Sequence, residues 1–382
     1  MGYFKNVKDS FKLKHYINYI VIAAALVLFI GLNSAGELSR ATLNLLPRIA
    51  YSIILATSLN LVVGFLGELS LGHAGFMCVG AYLGSYFSLF LHQYVDNMLV
   101  CFIISMIVGG LAAAVFGFII GLPALRLKGD YLAIVTLAFG EIVRNIFKNL
   151  EIFGGAMGLK TAEIKIKSST LFVVGFIVVL IVLALIQNLI RSKHGRAITA
   201  IRDNEIATKA MGINVTFYKL FVFIISAFFA GVAGVIYGHY VTPISYTTFD
   251  YNYSIEILVM VVIGGMGSMN GSIIAATLIT YVNSLLQSKL SGDLAAVRLL
   301  VYALVLIVVV IYNNAPALKS VRERFSLKSL MRKLSKKNNP SSIKDDEAEW
   351  DRIPTKVHMD ELLTVDLPDN TYTPDPPKKG DR

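Results

Sequence analysis

The sequence predicts an all-α protein, a polytopic transmembrane helix bundle of about 10 spans (8–10), and three observations predict it. Hydrophobic residues make up 55% of the 382 and charged residues only 16%, with a mean hydropathy of +0.65; a soluble globular domain does not have this composition. Apolar stretches follow one another from residue 16 to residue 313. Many reach about 20 residues, the length that crosses a hydrocarbon layer of roughly 30 Å at about 1.5 Å per residue. Lys and Arg gather in segments separated by even numbers of these stretches, as in loops that resist translocation.

The basic N-terminus, residues 1–15, carries Lys5, Lys8, Lys12 and Lys14. Spans are predicted at 16–33, 47–66, 71–93, 98–122, 130–148, 170–190, 217–240, 254–268, 271–289 and 295–313. The first is read as a retained anchor, because its apolar run of about 17 residues is long for a signal peptide and Asn33 is a poor cleavage-site residue. The span at 254–268 is short, about 22 Å if helical, and that at 71–93 is rich in glycine, so either is a candidate re-entrant segment. Arg126 and Lys128 follow the fourth span. A polar insert bounded by residues 191–216 carries Arg191, Lys193, Arg196, Arg202 and Lys209, and Lys319, Arg322, Arg324 and Lys328 follow the last span. Ten crossings put all these clusters on one side, so both termini and the insert are expected in the cytoplasm. The segment Glu151 to Ser169, with Lys160, Lys165 and Lys167, runs against the rule.

Residues 314–382 form a charged tail, basic from Lys319 to Lys337 and acidic and proline-punctuated from Asp345 to Asp375. The basic part is expected to lie on anionic membrane lipid. The acidic part is expected to be mostly disordered, with Trp350 and Met359 to Leu363 as anchor points for a partner or with no role at all. The net charge of +10 is a topology signal, and no nucleic-acid partner is expected. Cys78 and Cys101 stand in no metal or disulfide pattern. No catalytic or metal-binding residue is expected, since no nucleophile, base and orienter stand out.

Small residues four apart, Gly80 with Gly84, Gly234 with Gly238 and Gly267 with Gly271, suit close helix packing in lipid. Polar residues at membrane depth are more informative, because an unpaired charge there is costly. Glu141 falls near the middle of the fifth span with Arg144 on the same face; the pair is read as a lock on helix register, or as a contact for a zwitterionic solute. Asn60 and Asn283 are read as interhelical hydrogen-bonding residues. The stretch Gly64 to Phe76, GFLGELSLGHAGF, holds Glu68, Ser70 and His73 among four glycines. Such a run breaks a helix, and a break is tolerated only against protein or a watery cavity, as at many transporter sites. Gly264 to Gly271, GGMGSMNG, is a second candidate break. A tight turn between successive spans fits either segment equally well. The candidate translocation path is therefore Asn60, Glu68, Ser70, His73, Glu141, Arg144 and Gly267.

The insert proper, His194 to Asn214 (HGRAITAIRDNEIATKAMGIN), is patterned as a helix from Arg196 to Met211. It sets Ile198 and Ile201 on one side, gains support from Glu205 and Lys209 four apart, and stops at Gly212. The other reading is a charged loop that marks the inner face.

Several separated blocks resemble the permease subunits of branched-chain amino acid ABC importers, LivM type. They are residues 53–84, ending in LNLVVGFLGELSLGHAGFMCVGAYLG, GDYLAIVTLAFGEIVRNI (129–146), AIRDNEIATKAMGIN (200–214) with the following AGVAGVIYG, and VIGGMGSMNGSIIAA (262–276). The resemblance covers most of residues 45–313. It implies a permease domain over 16–313 that forms a translocation path for leucine, isoleucine or valine. It also implies a second, LivH-like permease subunit, two ABC ATPase subunits, an extracytoplasmic amino-acid-binding protein, and a bacterial plasma (inner) membrane location. The sequence has no G-x-x-x-x-G-K-[ST] phosphate loop, so no cofactor is expected on this chain and ATP is expected to be used by partner subunits. The insert, with Ile198, Ile201, Arg202, Asp203, Glu205, Lys209 and Gly212, is then the ATPase-coupling loop. The family pattern there has Glu-Ala-Ala with a glycine six positions after the Glu. Here Glu205 is followed by Ile206 and Ala207, and Gly212 is seven away, a departure in the docking register. A permease of a related urea or short-amide importer, and a self-sufficient secondary carrier, are the alternatives.

Overall fold

A computed structural model describes residues 17–35, 39–127 and 129–289, together with Leu304 and Ile307. The chain divides into two units, 1–314 and 315–382. The basic N-terminus, the charged tail with Trp350, Lys128 and, apart from Leu304 and Ile307, the span expected at 295–313 lie outside the described residues.

Among the described residues the regular structure is helical, with one isolated antiparallel bridge between Leu159 and Ile244. The helices are α1 (Ile17–Ser34), α2 (Arg40–Leu66), α3 (His73–His92), α4 (Met98–Ala124), α5 (Asp130–Asn149) and α6 (Ser168–Arg191). They continue as α7 (Lys193–Asp203), α8 (Glu205–Ala210), α9 (Val215–Tyr240), α10 (Tyr251–Gly264) and α11 (Met269–Lys289). Every span expected up to residue 289 coincides with a helix. Among the described residues, 6 are long and apolar enough to cross a membrane: α2, α3, α4, α6, α9 and α11. Helix α10 has 14 residues, about 21 Å. Helix α5 is long enough but carries Asp130, Glu141, Arg144 and Lys148.

Helix α9 is the centre of the bundle, and small residues let α3 and α4 reach it. A methyl group built on Gly80 of α3 would overlap the backbone of Gly231 of α9, and one on Gly234 would overlap the Met77 carbonyl. Gly109 and Gly110 of α4 face the same helix, against Val235 and Phe228. In lipid such close backbone approach does much of the work that apolar burial does in water. The large side chains fill what remains: Phe76 meets Phe223 edge to face with centroids 5.5 Å apart, and Tyr82 stacks on Phe147 at 4.6 Å. The outward faces of α4 and α6, with Ile103, Ile107, Leu111, Ile177, Ile181 and Leu185, are exposed and apolar, the surface a bilayer solvates.

Candidate functional site

The end of α2 does not close as an ordinary helix. Its last residues, Leu61–Leu66, form a wider π turn, and Gly67 follows at φ 82°. Residues 67–72 then run without helix to His73, so backbone groups in this stretch need partners from elsewhere. Neighbouring helices supply them. The Leu71 N–H donates to Thr136 Oγ1 of α5 at 3.0 Å, and the Ala74 N–H donates to Ser254 Oγ of α10 at 3.1 Å. The Gly64 carbonyl accepts from Arg202 Nη1 of α7 at 3.2 Å. The expected break is therefore present, and it is held against protein.

The second glycine run is also a break, between α10 and α11, with Gly265 and Gly267 at φ 89° and 80°. One side chain joins the two. Asn60, fully buried, accepts the Gly267 N–H at 2.9 Å and donates to the Ser268 carbonyl at 3.1 Å and to Ser272 Oγ at 2.9 Å. Asn60 thus hydrogen-bonds between helices as its sequence position suggested. Asn283 does so too, donating to Glu256 at 3.2 Å.

The insert packs beneath this pair of breaks as two helices, where the sequence pattern suggested one from Arg196 to Met211. The reason is Asn204. It leaves the helical region at φ −157°, and its side chain accepts the Ala207 N–H at 3.0 Å, capping α8. Ser192 caps α7 in the same way, at 3.1 Å from the His194 N–H. Gly212, at φ 80°, ends α8 in the left-handed region that L side chains rarely adopt. Ile198 and Ile201 are buried. Arg202 lies beside Gly67 and close to Gly267, and also pairs with Asp203 at 2.9 Å. Ile206 and Met211 point the other way, 80% and 81% exposed, and Lys209 is exposed beside them.

A residue that the sequence reading passed over completes the cluster. Lys219, buried at the start of α9, forms an ion pair with Glu68 in the first break and another with Glu205 of α8 at 3.2 Å. The signal was available: a lysine early in an apolar span needs a partner.

The remaining candidates lie apart. Arg144 pairs with Glu141 at 2.6 Å, and Glu141 also accepts the Tyr251 N–H at 3.1 Å, so this pair holds the start of α10. That is the far end of α10 from Gly267, about 20 Å away. His73 Nε2 sits 2.8 Å from Ser58 Oγ, both buried. Ser70 is buried, and its hydroxyl has no partner among the described residues. Cys78 and Cys101 are free and buried. No group of three or more His, Cys, Asp or Glu that could hold a metal ion occurs among the described residues. Polar contacts thus join the first helix break, Lys219 at the start of α9 and the α7–α8 pair.

Comparison with known proteins gives the family. The family described as branched-chain amino acid transport system / permease component matches residues 41–310. The LivM permease protein of the high-affinity branched-chain amino acid transport system of Salmonella typhimurium is 34% identical over 322 residues, 76% of this chain and 73% of that protein. Its Escherichia coli counterpart is 35% identical over the same shares. A probable LivM permease of Methanocaldococcus jannaschii is 32% identical over 181 residues, 44% of this chain and 52% of that protein. No solved structure matches. On the extent of these matches, and on apolar helices built to cross a membrane several times, the chain belongs to the branched-chain amino acid transport system permease family.

Proposed function

We propose that this chain is a membrane-spanning subunit of an ATP-driven ABC importer for leucine, isoleucine and valine in a bacterial plasma membrane. It crosses about ten times with both termini inside, and the end of the bundle that carries α7 and α8 faces the cytoplasm. It works beside a second, LivH-like permease. Two ATPase subunits bind at α7 and α8 and use the ATP, and an extracytoplasmic binding protein delivers the amino acid.

The observation that carries this reading is the α7–α8 pair. It buries Ile198 and Ile201 in the bundle, exposes Ile206 and Met211, and reaches both helix breaks through Arg202 and Lys219. Large exposed apolar residues on a polar surface are what a partner covers. Closure of the ATPase pair would shift α7 and α8 and, with them, residues 64–73 and 264–271, switching a small cavity between the two faces. Only a difference in ATP affinity between the two states drives such a switch.

Two experiments test it. In liposomes the chain alone is expected to move no amino acid down an ion gradient; transport of labelled leucine, and not of urea, is expected only after the ATPases, second permease and binding protein are added. Transport by the chain alone would make it a secondary carrier. In cells, Gly212→Trp and Glu205→Lys are each expected to abolish uptake while the subunit stays in the membrane. Wild-type uptake in both variants would remove the coupling role of the insert.

A further inference from the structure

We infer that Lys219 is the positioning residue through which α7 and α8 move the segment after α2. Its ammonium group stands between two carboxylates that belong to different segments, Glu68 in the break and Glu205 on the surface helix α8. The two contacts are unequal. The side chains of Lys219 and Glu68 are 4% and 12% exposed, whereas that of Glu205 is 30% exposed and lies 3.2 Å from the ammonium. The lysine belongs to α9, the helix that Gly231 and Gly234 pack closely against α3 and α4 at the centre of the bundle.

An ion pair removed from water weakens steeply when it is pulled apart, and two carboxylates left without a shared cation repel each other. A shift of α8 that loosens Glu205 therefore changes the field that holds Glu68, and the break after Gly67 responds. Arg202 does not duplicate this role. Its contact with the first break is a hydrogen bond to a backbone carbonyl, and its carboxylate partner, Asp203, is its own neighbour in sequence.

This inference rests on the reading that α7 and α8 dock the ATPases, and the test separates the two. The complete importer is reconstituted in liposomes, and two quantities are measured: leucine uptake, and the ratio of ATP hydrolysis with leucine-loaded binding protein to hydrolysis without it. The variants are Lys219→Gln, Lys219→Arg, Lys219→Glu, Glu205→Lys and the double variant Glu205→Lys/Lys219→Glu. The double variant keeps two carboxylates on one ammonium, with the ammonium now supplied by α8. In Lys219→Gln the complex is expected to assemble while the stimulation ratio falls roughly ten-fold, and Lys219→Arg is expected to restore most of it. Each charge-reversed single variant is expected to lose uptake, and the double variant to regain a large part.

A wild-type ratio in Lys219→Gln would overturn the inference. So would a double variant that assembles with its partners yet transports no better than the singles. If Lys219→Gln does not assemble, the double variant decides alone, because its charges balance as in the wild type. If the wild-type complex assembled and transported with no dependence on α7 and α8, the docking reading would fall and this inference with it.

Discussion

Asn60 shows how much a single polar group decides at membrane depth. Its amide is fully buried and makes three contacts across the second break. Asn60→Leu, close in size, leaves the partly buried Gly267 N–H without this partner and removes two further hydrogen bonds, a loss of about 1–3 kcal/mol. We expect a lower unfolding temperature in detergent and reduced uptake, and an unchanged unfolding temperature would refute the clamp. The sequence showed that Asn60 was an interhelical residue but not what it held, since its partners lie more than 200 positions away. The Glu141–Arg144 pair was legible because its members are three residues apart on one helix. The need of Lys219 for a partner was legible but the partners were not, because they sit on separate elements and no spacing rule relates residue 219 to residues 68 and 205.

At the scale of elements, the helices were legible because a hydrocarbon solvent demands a continuous apolar run for each crossing, and that demand is written locally. The insert was legible as a helical feature but not as two helices. Residues Arg196 to Met211 keep a helical pattern throughout, and the interruption depends on Asn204 choosing to cap. The breaks were visible as glycine runs, yet a tight turn would have looked the same. What distinguishes them is the side chains that meet the backbone in and beside them, from α5, α7 and α10 at the first and Asn60 of α2 at the second. The contact between α4 and α9 gives a prediction of its own. Gly231→Val puts a branched side chain where Ala113 and the backbone of Gly109 and Gly110 already stand. Overpacking of this kind costs about 1–3 kcal/mol or more. The expected outcome is less folded subunit in the membrane and a lower unfolding temperature, whereas Gly31→Ala, at a helical glycine of α1 with open space around it, serves as the contrast.

For the molecule as a whole, the distribution of Lys and Arg predicts which face of the bundle α8 occupies, and that is open to measurement. Ile206→Cys places a reactive thiol on an 80% exposed site, while Cys78 and Cys101 are both buried. A membrane-impermeant maleimide is expected to label this variant in inside-out vesicles stripped of the ATPase subunits and not in intact cells. Labelling from outside would reverse the orientation and, with it, the proposed route for ATP-driven work. Because the Asn60 carboxamide stitches the end of α2 to the stretch around residue 267, the two gaps are not separate hinges. If they give way during a transport cycle they give way together, so defects introduced into either should not add, and the importer would have one throw rather than a sequence of small ones.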